Sequence, residues 1–402
     1  MNYSQNVWKL YGIRFFHNLI PAYVIERLFW EQRGMTIQLV VFTEIIYAAT
    51  IVLFEVPSGI AADKWGRKKM MIVSALMGCC EFLILLFASS FWHFAAAIFL
   101  AGIGRSAGSG AENALLYDSL LLHGNAGSFE KCFGRLSALD FSAAMLAALS
   151  GSLMANWHGF ELNYWVSFAG MAVSLLISLT LVEPEMKSKM ERPIAVKEYV
   201  TASVRFFQRS PGLCLVLLSG MVVGAAMNFI DEFWQLYINR IGVPVIYFGL
   251  FSAGLSLLRL PGNILAYKLK NKISYRVLIF GVVLIFAVGM LYLSAVMGYT
   301  SLAVIFLIGT VSGIMEPLIA GYLHHNIDSS MRATIDSFRS LGLEAVLIIV
   351  GLGFGFFSSR HDVFGGYGFI SLICFAFLVY FLATSKHLIE QHNDKKLSGG
   401  SG

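Results

Sequence analysis

Apolar runs of about twenty residues recur from one end of the chain to the other, separated by short breaks rich in charge, glycine or proline. Each is long enough to cross roughly 30 Å of hydrocarbon as an α-helix rising about 1.5 Å per residue. Twelve such spans are expected, centred near Pro21, Tyr47, Cys80, Ile103, Leu146, Ala172, Val222, Ser256, Val283, Gly309, Ile348 and Phe375. An even number puts both termini on one side. The fold class is therefore an all-α membrane protein, and the longest hydrophilic stretch divides it into two six-helix bundles. On this reading residues 1–182 form the N-terminal bundle, 183–210 a cytoplasmic linker and 211–386 the C-terminal bundle. Residues 387–402 are a cytoplasmic tail ending in Leu397-Ser398-Gly399-Gly400-Ser401-Gly402, which has the look of an appended scar. Within the linker, Ile194, Val200, Phe206 and Phe207 share one face of a short helix that could lie along the membrane surface; an irregular connector is the other reading.

Composition agrees with the pattern. Of 402 residues 57% are hydrophobic and 13% charged, against roughly 25% charged in a soluble domain. A water-soluble globule is excluded. The net charge of +5 is a matter of topology. Of 29 basic residues, 21 fall on the side of the termini, while only Arg27, Arg33, Arg240 and Arg360 fall on the other. By the positive-inside rule both termini are cytoplasmic, and no nucleic-acid partner is implied. The first apolar run carries Arg14 and Glu26 without a cleavage site, which reads as a retained helix. Five cysteines form neither a CxxC pair nor a ligand cluster, so reduced packing residues and no metal are expected. No Walker loop, strand-borne GxGxxG or nucleophile elbow is present. Neither an enzyme nor a direct ATP-driven pump has a basis in the sequence.

One charged turn interrupts the apolar pattern between the second and third spans: Gly59-Ile60-Ala61-Ala62-Asp63-Lys64-Trp65-Gly66-Arg67-Lys68-Lys69. Glycines allow a tight turn, basic residues hold it at the cytoplasmic surface, and simple anchoring would need no aspartate. Gly59, Asp63, Gly66, Arg67 and Lys68 resemble GxxxDxxGR[KR], the loop signature of the major facilitator superfamily, in the place where that family has it. The resemblance implies a conformational latch, with Asp63 at the N-terminus of an eleventh helix beginning near Ala333 and Arg67 paired to Asp118. A partial echo follows the eighth span at Gly262 to Lys272, with Ala266 at the aspartate position and Leu269 at the second glycine position. Matching half-chains suggest a duplicated unit, the architecture of transporters that alternate access.

Charges inside spans are expensive and mark sites. Arg14, His17 and Asn18 form one stripe in the first span; Asn228, Asp231, Glu232 and Gln235 form another in the seventh, at i, i+3, i+4 and i+7. Arg105, Gly108 and Glu112 share a stripe of the fourth span that resembles the family's RxxxGxG element, one residue short. Glu316 precedes Pro317 in the tenth. Spans one, four, seven and ten line the central cavity in the resembled family. Asp231, Glu232, Glu112, Glu316 and Arg105 are therefore the proton-coupling candidates. Arg14, His17, Asn18, Asn228 and Gln235 are the cavity candidates. Glu44, Glu55, Glu81, Asp140, Asp336 and Glu344 read as structural ion pairs or helix-end acids, with Arg259 and Arg339 available to neutralise some.

The fifth span repeats small residues at intervals of four, Ala143-Ala147-Gly151 and Ala144-Ala148-Ser152, which lets helices pack closely. It lacks the proline of the GxxxGPxxGG element usual in the family's antiporters. The function expected is a proton-coupled secondary transporter that exports an amphiphilic small molecule. A carboxylate in a low-dielectric cavity takes up a proton more readily and can trade it for a cationic or neutral substrate. An uptake symporter for a sugar, carboxylate or amino acid is the alternative, and a non-transporting receptor or scaffold a second. No cofactor beyond the proton gradient is expected. Protons, the substrate and the lipid bilayer are the partners, the chain acting as a monomer in the bacterial cytoplasmic membrane.

Overall fold

The computed structural model describes residues 4–184, 211–270, 272–326 and 332–385, and every regular element among them is helical. The expected interfacial helix at 194–207 and the tail 387–402 lie outside the described residues. The protein is an all-α membrane protein. Its contacts group into two units, Met1–Glu191 with Gly242–Ala253, and Arg192–Ile241 with Gly254–Gly402.

The first unit holds α1 (Ser4–Asn18), α2 (Glu26–Gln32), α3 (Ile37–Trp65), α4 (Arg67–Leu86), α5 (Phe91–Leu122), α6 (Phe129–His158) and α7 (Glu161–Leu179). Helix α4 packs on α5 and α7, α3 packs on α5, and α1 packs on α6 and α7. The first expected span is not one continuous helix. It breaks after Asn18 into a 3-10 turn, Pro21–Val24, because proline at the turn's first position has no N–H to continue the α1 ladder. Arg27, expected in an outer connection, is instead buried in α2 at 3% exposure. Its Nη2 donates to Glu44 Oε1 of α3 at 2.6 Å, so the buried charge is compensated. The Ala143-Ala147-Gly151 ladder of α6 is buried, while Ala144 is exposed. Asn163 of α7 ties that ladder to the 3-10 turn by donating to Gly151 O at 2.9 Å and Pro21 O at 3.0 Å.

The second unit is built from α8 (Pro211–Arg240), most of α9 (Phe248–Lys270), α10 (Tyr275–Ala295), α11 (Thr300–Asn326) and α12 (Arg332–Thr384). Helix α12 packs on α8 and α10, and α11 also packs on α8 and α10. At 53 residues α12 contains two expected spans. They reverse across a two-residue break at His361 and Asp362, the latter at φ +54°. The halves meet again at once, Phe357 stacking on Phe369 at 5.1 Å between centroids and Phe354 meeting Tyr367 at 5.8 Å. Asp362 is held in its left-handed conformation by Arg240 Nε, 2.6 Å from its Oδ2, and by Val363 N, 2.7 Å from its Oδ1.

Nine helices among the described residues are long and apolar enough to cross a membrane. Leu53, Val56, Ile264, Leu372 and Val379 point outward from them, as lipid-facing side chains do. Trp8, Trp65, Trp92 and Trp157 are exposed close to helix ends, where indole rings favour the membrane–water boundary. All five cysteines are unpaired.

Candidate functional site

The charged turn is built by a change of helix. Helix α3 ends at Trp65, Gly66 takes φ +99°, and α4 begins at Arg67. A helix start leaves N–H groups without intrahelical acceptors. Here a residue that the sequence pattern did not single out supplies the acceptors. Glu183, just beyond the end of α7, accepts from Arg67 N through Oε1 and from Lys68 N through Oε2, each at 2.7 Å. A carboxylate at a helix N-terminus is favoured by both the hydrogen bonds and the helix dipole. A Cβ on residue 66 would lie 2.8 Å from the Glu183 carboxylate, so both the left-handed φ and the cap require glycine there.

The Arg67 side chain runs to α5. Its Nη1 donates to Ala114 O at 2.9 Å and forms an ion pair with Asp118, a buried carboxylate. Asn6 of α1 fastens the same end, donating to Ser119 Oγ at 2.9 Å and Val182 O at 2.8 Å while accepting from Val182 N at 3.0 Å. Lys9 donates to Thr180 O at 2.6 Å. Asp63 and Lys64 are exposed. Gly59 has nothing within 4 Å of a notional Cβ, whereas Gly262, its counterpart in the echo, presses against Thr310 O and Gly313 Cα of α11. The two glycines therefore do different things. Gly262 is a helix-packing position, which Gly59 is not.

Inside the first unit the intramembrane charges converge on Arg14. Its Nε lies 2.7 Å from Glu112 Oε1 of α5, and its Nη1 lies 3.5 Å from Asp140 Oδ2 of α6. Asn18, one turn on, donates to Asp140 Oδ1 at 2.9 Å and to Arg14 O at 3.0 Å. Asp140, read from sequence as a structural acid, is thus part of this network. His17 and the exposed Arg105 lie within electrostatic reach of it. Gly108 does not share the network with Arg105 and Glu112. It turns toward α4, where its notional Cβ would be 2.8 Å from Ser74 Oγ.

The second unit contains a cavity of about 220 Å³ between α8, α11 and the start of α12. Asn228, Asp231, Ser312, Glu316 and Arg339 supply its polar wall, and Val223, Met227, Met315 and Ile319 its apolar wall. Asp231 forms an ion pair with Arg259 of α9, and Arg339 Nη2 lies 3.4 Å from Glu316 Oε1. Since a cavity of about 150 Å³ accepts benzene, this one admits a ring-sized group. Glu232 and Gln235 share the helix but not the lining, and Gln235 is buried at 3% exposure. Arg259 and Arg339 emerge as partners of specific acids. Their spacing from Asp231 and Glu316 crosses helices, so no periodicity along one helix points to them. The side chain of Asp336 lies outside the described residues.

No group of three or more His, Cys, Asp or Glu side chains fit to hold a metal occurs among the described residues. Each intramembrane acid of the two sites instead has an arginine beside it, an arrangement that can bind and release protons or exchange one cation for another.

The family profile described as Major Facilitator Superfamily matches residues 14–351. Multidrug resistance protein MdtG of Klebsiella pneumoniae (strain 342) is 24% identical over 341 residues, covering 80% of this chain and 78% of that protein. The protein of the same name from Escherichia fergusonii is 24% identical over 343 residues, covering 80% and 79%. Among solved structures, nucleoside transporter NupG superposes with a TM-score of 0.75 at 12% identity, covering 96% of this chain and all of that one. A D-xylose-proton symporter superposes with a TM-score of 0.68 at 12% identity, covering 93% and 96%. At such identities the structural likeness speaks for the fold.

Proposed function

Because the chain belongs to the Major Facilitator Superfamily, we propose that this membrane transporter is a proton-coupled exporter of an amphiphilic small molecule, working by alternating access. The observation that carries the reading is the pairing of acids with arginines inside the bundles, Glu112 and Asp140 with Arg14 and Asp231 with Arg259. Protonating the acid, or placing a cationic group beside it, frees the arginine, and each event therefore competes with the other. The mixed wall of the second-unit cavity suits a molecule with an apolar ring and one polar or charged group. The names of the MdtG relatives support export of drugs. Both termini on the cytoplasmic side, a monomer and the bacterial cytoplasmic membrane belong to the same proposal.

A second reading is uptake of a polar solute by symport, favoured by Asn228, Ser312 and Arg339 in the cavity wall. Purified protein in liposomes under an imposed pH gradient separates the two. Lipophilic cations moving against the proton flow support export, sugars or carboxylates moving with it support symport, and no proton-linked flux of any solute overturns both. In that assay Asp231→Asn is expected to lower gradient-driven flux by about tenfold or more, equivalent to about 1.4 kcal/mol of barrier. Binding measured without a gradient changes less. Equal gradient dependence in the variant would remove Asp231 from the coupling site.

The charged turn is assigned the role of latch, with Gly59, Asp63, Gly66, Arg67, Lys68 and Asp118 as its parts. Asp63→Asn is expected to leave folding intact and slow turnover, read as a lower maximal rate at unchanged KM. Wild-type turnover in that variant would end the latch role of Asp63.

A further inference from the structure

Two glycines stand in the wall of the second-unit cavity. Gly220, Val223, Gly224, Met227, Asn228 and Asp231 all line it, and their spacing of three and four along α8 makes one helical face about three turns long. The polar groups, Asn228 and Asp231, occupy one end of that face. The glycines occupy the other, where Ile319 of α11 stands against Gly220 and Leu343 of α12 against Gly224.

Glycine is costly in the interior of a helix, so its presence there needs a physical reason. Close approach of two backbones is one. It accounts for Gly262 and Gly313, where a Cβ would overlap Thr310 O and Arg259 O respectively. It does not account for the two cavity glycines. Apart from the backbone of α8 and the flanking residues, a Cβ on residue 224 has within 4 Å, among the described residues, only Leu343 Cδ1 at 3.3 Å and Cδ2 at 3.9 Å. A Cβ on residue 220 would overlap Ile319 Cδ1 and otherwise approach only Cγ1 of the same side chain. These are side-chain atoms that can turn aside, and no backbone of another helix stands behind them at that distance. What a side chain at either position would take up is cavity.

We infer that Gly224, with Gly220 one turn away, sets the size of the substrate: the missing side chains leave the room for its apolar group, and its polar group lies toward Asn228 and Asp231. This rests on the cavity being the transport site. The volume of about 220 Å³ is less than twice the roughly 150 Å³ that accepts benzene. The class admitted is therefore an amphiphile that enters with one ring. One methylene more or less in an apolar pocket changes discrimination by about 10- to 200-fold, so a single methyl on residue 224 should be enough to show the limit.

The test reads the cavity directly and does not require the substrate. Ser312→Cys places a thiol on the opposite wall, and full-length protein in liposomes is treated with methyl, benzyl and naphthylmethyl methanethiosulfonate, the adduct at position 312 being followed by peptide mapping. With Gly224 in place, the methyl and benzyl reagents are expected to label and the naphthylmethyl reagent to lag. Adding Gly224→Ala should lower the benzyl rate by about tenfold or more relative to the methyl rate. It should also leave the unfolding temperature unchanged or higher, since alanine favours the helix and Leu343 has only to yield slightly. An unchanged benzyl-to-methyl ratio overturns the inference, and so does failure of every reagent to label. So does a lower unfolding temperature, which would mark Gly224 as a packing position. Size-selective labelling without proton-linked flux of any solute in the transport assay would keep the size limit and remove the export reading. Flux of lipophilic cations with an unchanged ratio would do the reverse.

Discussion

Gly66→Ala is expected to lower the stability of the protein by about 2 kcal/mol or more and to abolish most transport, a large effect for the addition of one methyl group. Two causes add. At φ +99° an L-residue is strained by about 1–2 kcal/mol. The new Cβ would also stand 2.8 Å from the carboxylate of Glu183, which must move and give up its bonds to Arg67 N and Lys68 N. A hydrogen bond to a charged group contributes about 1.5–3 kcal/mol, and here the partly exposed setting puts the loss at the low end. Thermal unfolding in detergent reads the first quantity and flux in liposomes the second. Glu183→Ala separates the causes, because it removes the cap and leaves the backbone angle. If the cap matters, Gly66→Ala costs less in the Glu183→Ala background than in the wild type, and the coupling energy measures the cap. A Gly66→Ala protein with wild-type unfolding and flux would show that neither cause operates.

Arg14→Ala should have the larger effect on function. It withdraws the guanidinium that, among the described residues, pairs with both Glu112, whose side chain is 12% exposed, and Asp140, at 28%. Breaking a buried pair by deleting one partner costs about 3–5 kcal/mol, because the other charge is left uncompensated. The exposure of Asp140 softens its share. The expected result is poor recovery of folded protein and loss of proton-driven flux in what remains. Adding Glu112→Gln in the same chain removes the stranded charge, so recovery should rise while coupling stays lost. Arg14→Lys keeps a cation but not the reach of a planar fork to two acids, and an intermediate flux is expected. Full flux in Arg14→Ala would show that the network is structural decoration. Size-exclusion recovery and gradient-driven flux, measured on the same preparations, decide between these outcomes.

Much of the architecture is legible in the order of residues, for reasons that are local. A run of twenty apolar residues has nowhere to go but a bilayer, and the backbone must then satisfy its own hydrogen bonds as a helix. The charged turn is legible because glycine, aspartate and arginine at fixed intervals do something no apolar run needs. The stripes of α1 and α8 are legible because polar residues three and four apart share a face. The break at Pro21 was only half visible, since proline marks a possible break and the neighbours decide whether it is used.

Partnership between helices is another matter. Glu183 lies 116 positions from Arg67, and Asp140 lies 122 from Asn18. Nothing in the periodicity of either segment links them. Arg27 looked like an outer-loop charge until Glu44 was found against it.

The chain's own pattern settled that this is a polytopic helical membrane protein, where its turn lies and which residue types are too costly to face lipid. These follow from solvation and helical geometry, which act on each segment alone. Folding settled which acid meets which base, and which glycine ends a helix and which packs against a neighbour. Those are decided by helix packing, a property of several segments at once, and it is there that the opening turn acquired Glu183 as its cap and Asp118 as its arginine's partner.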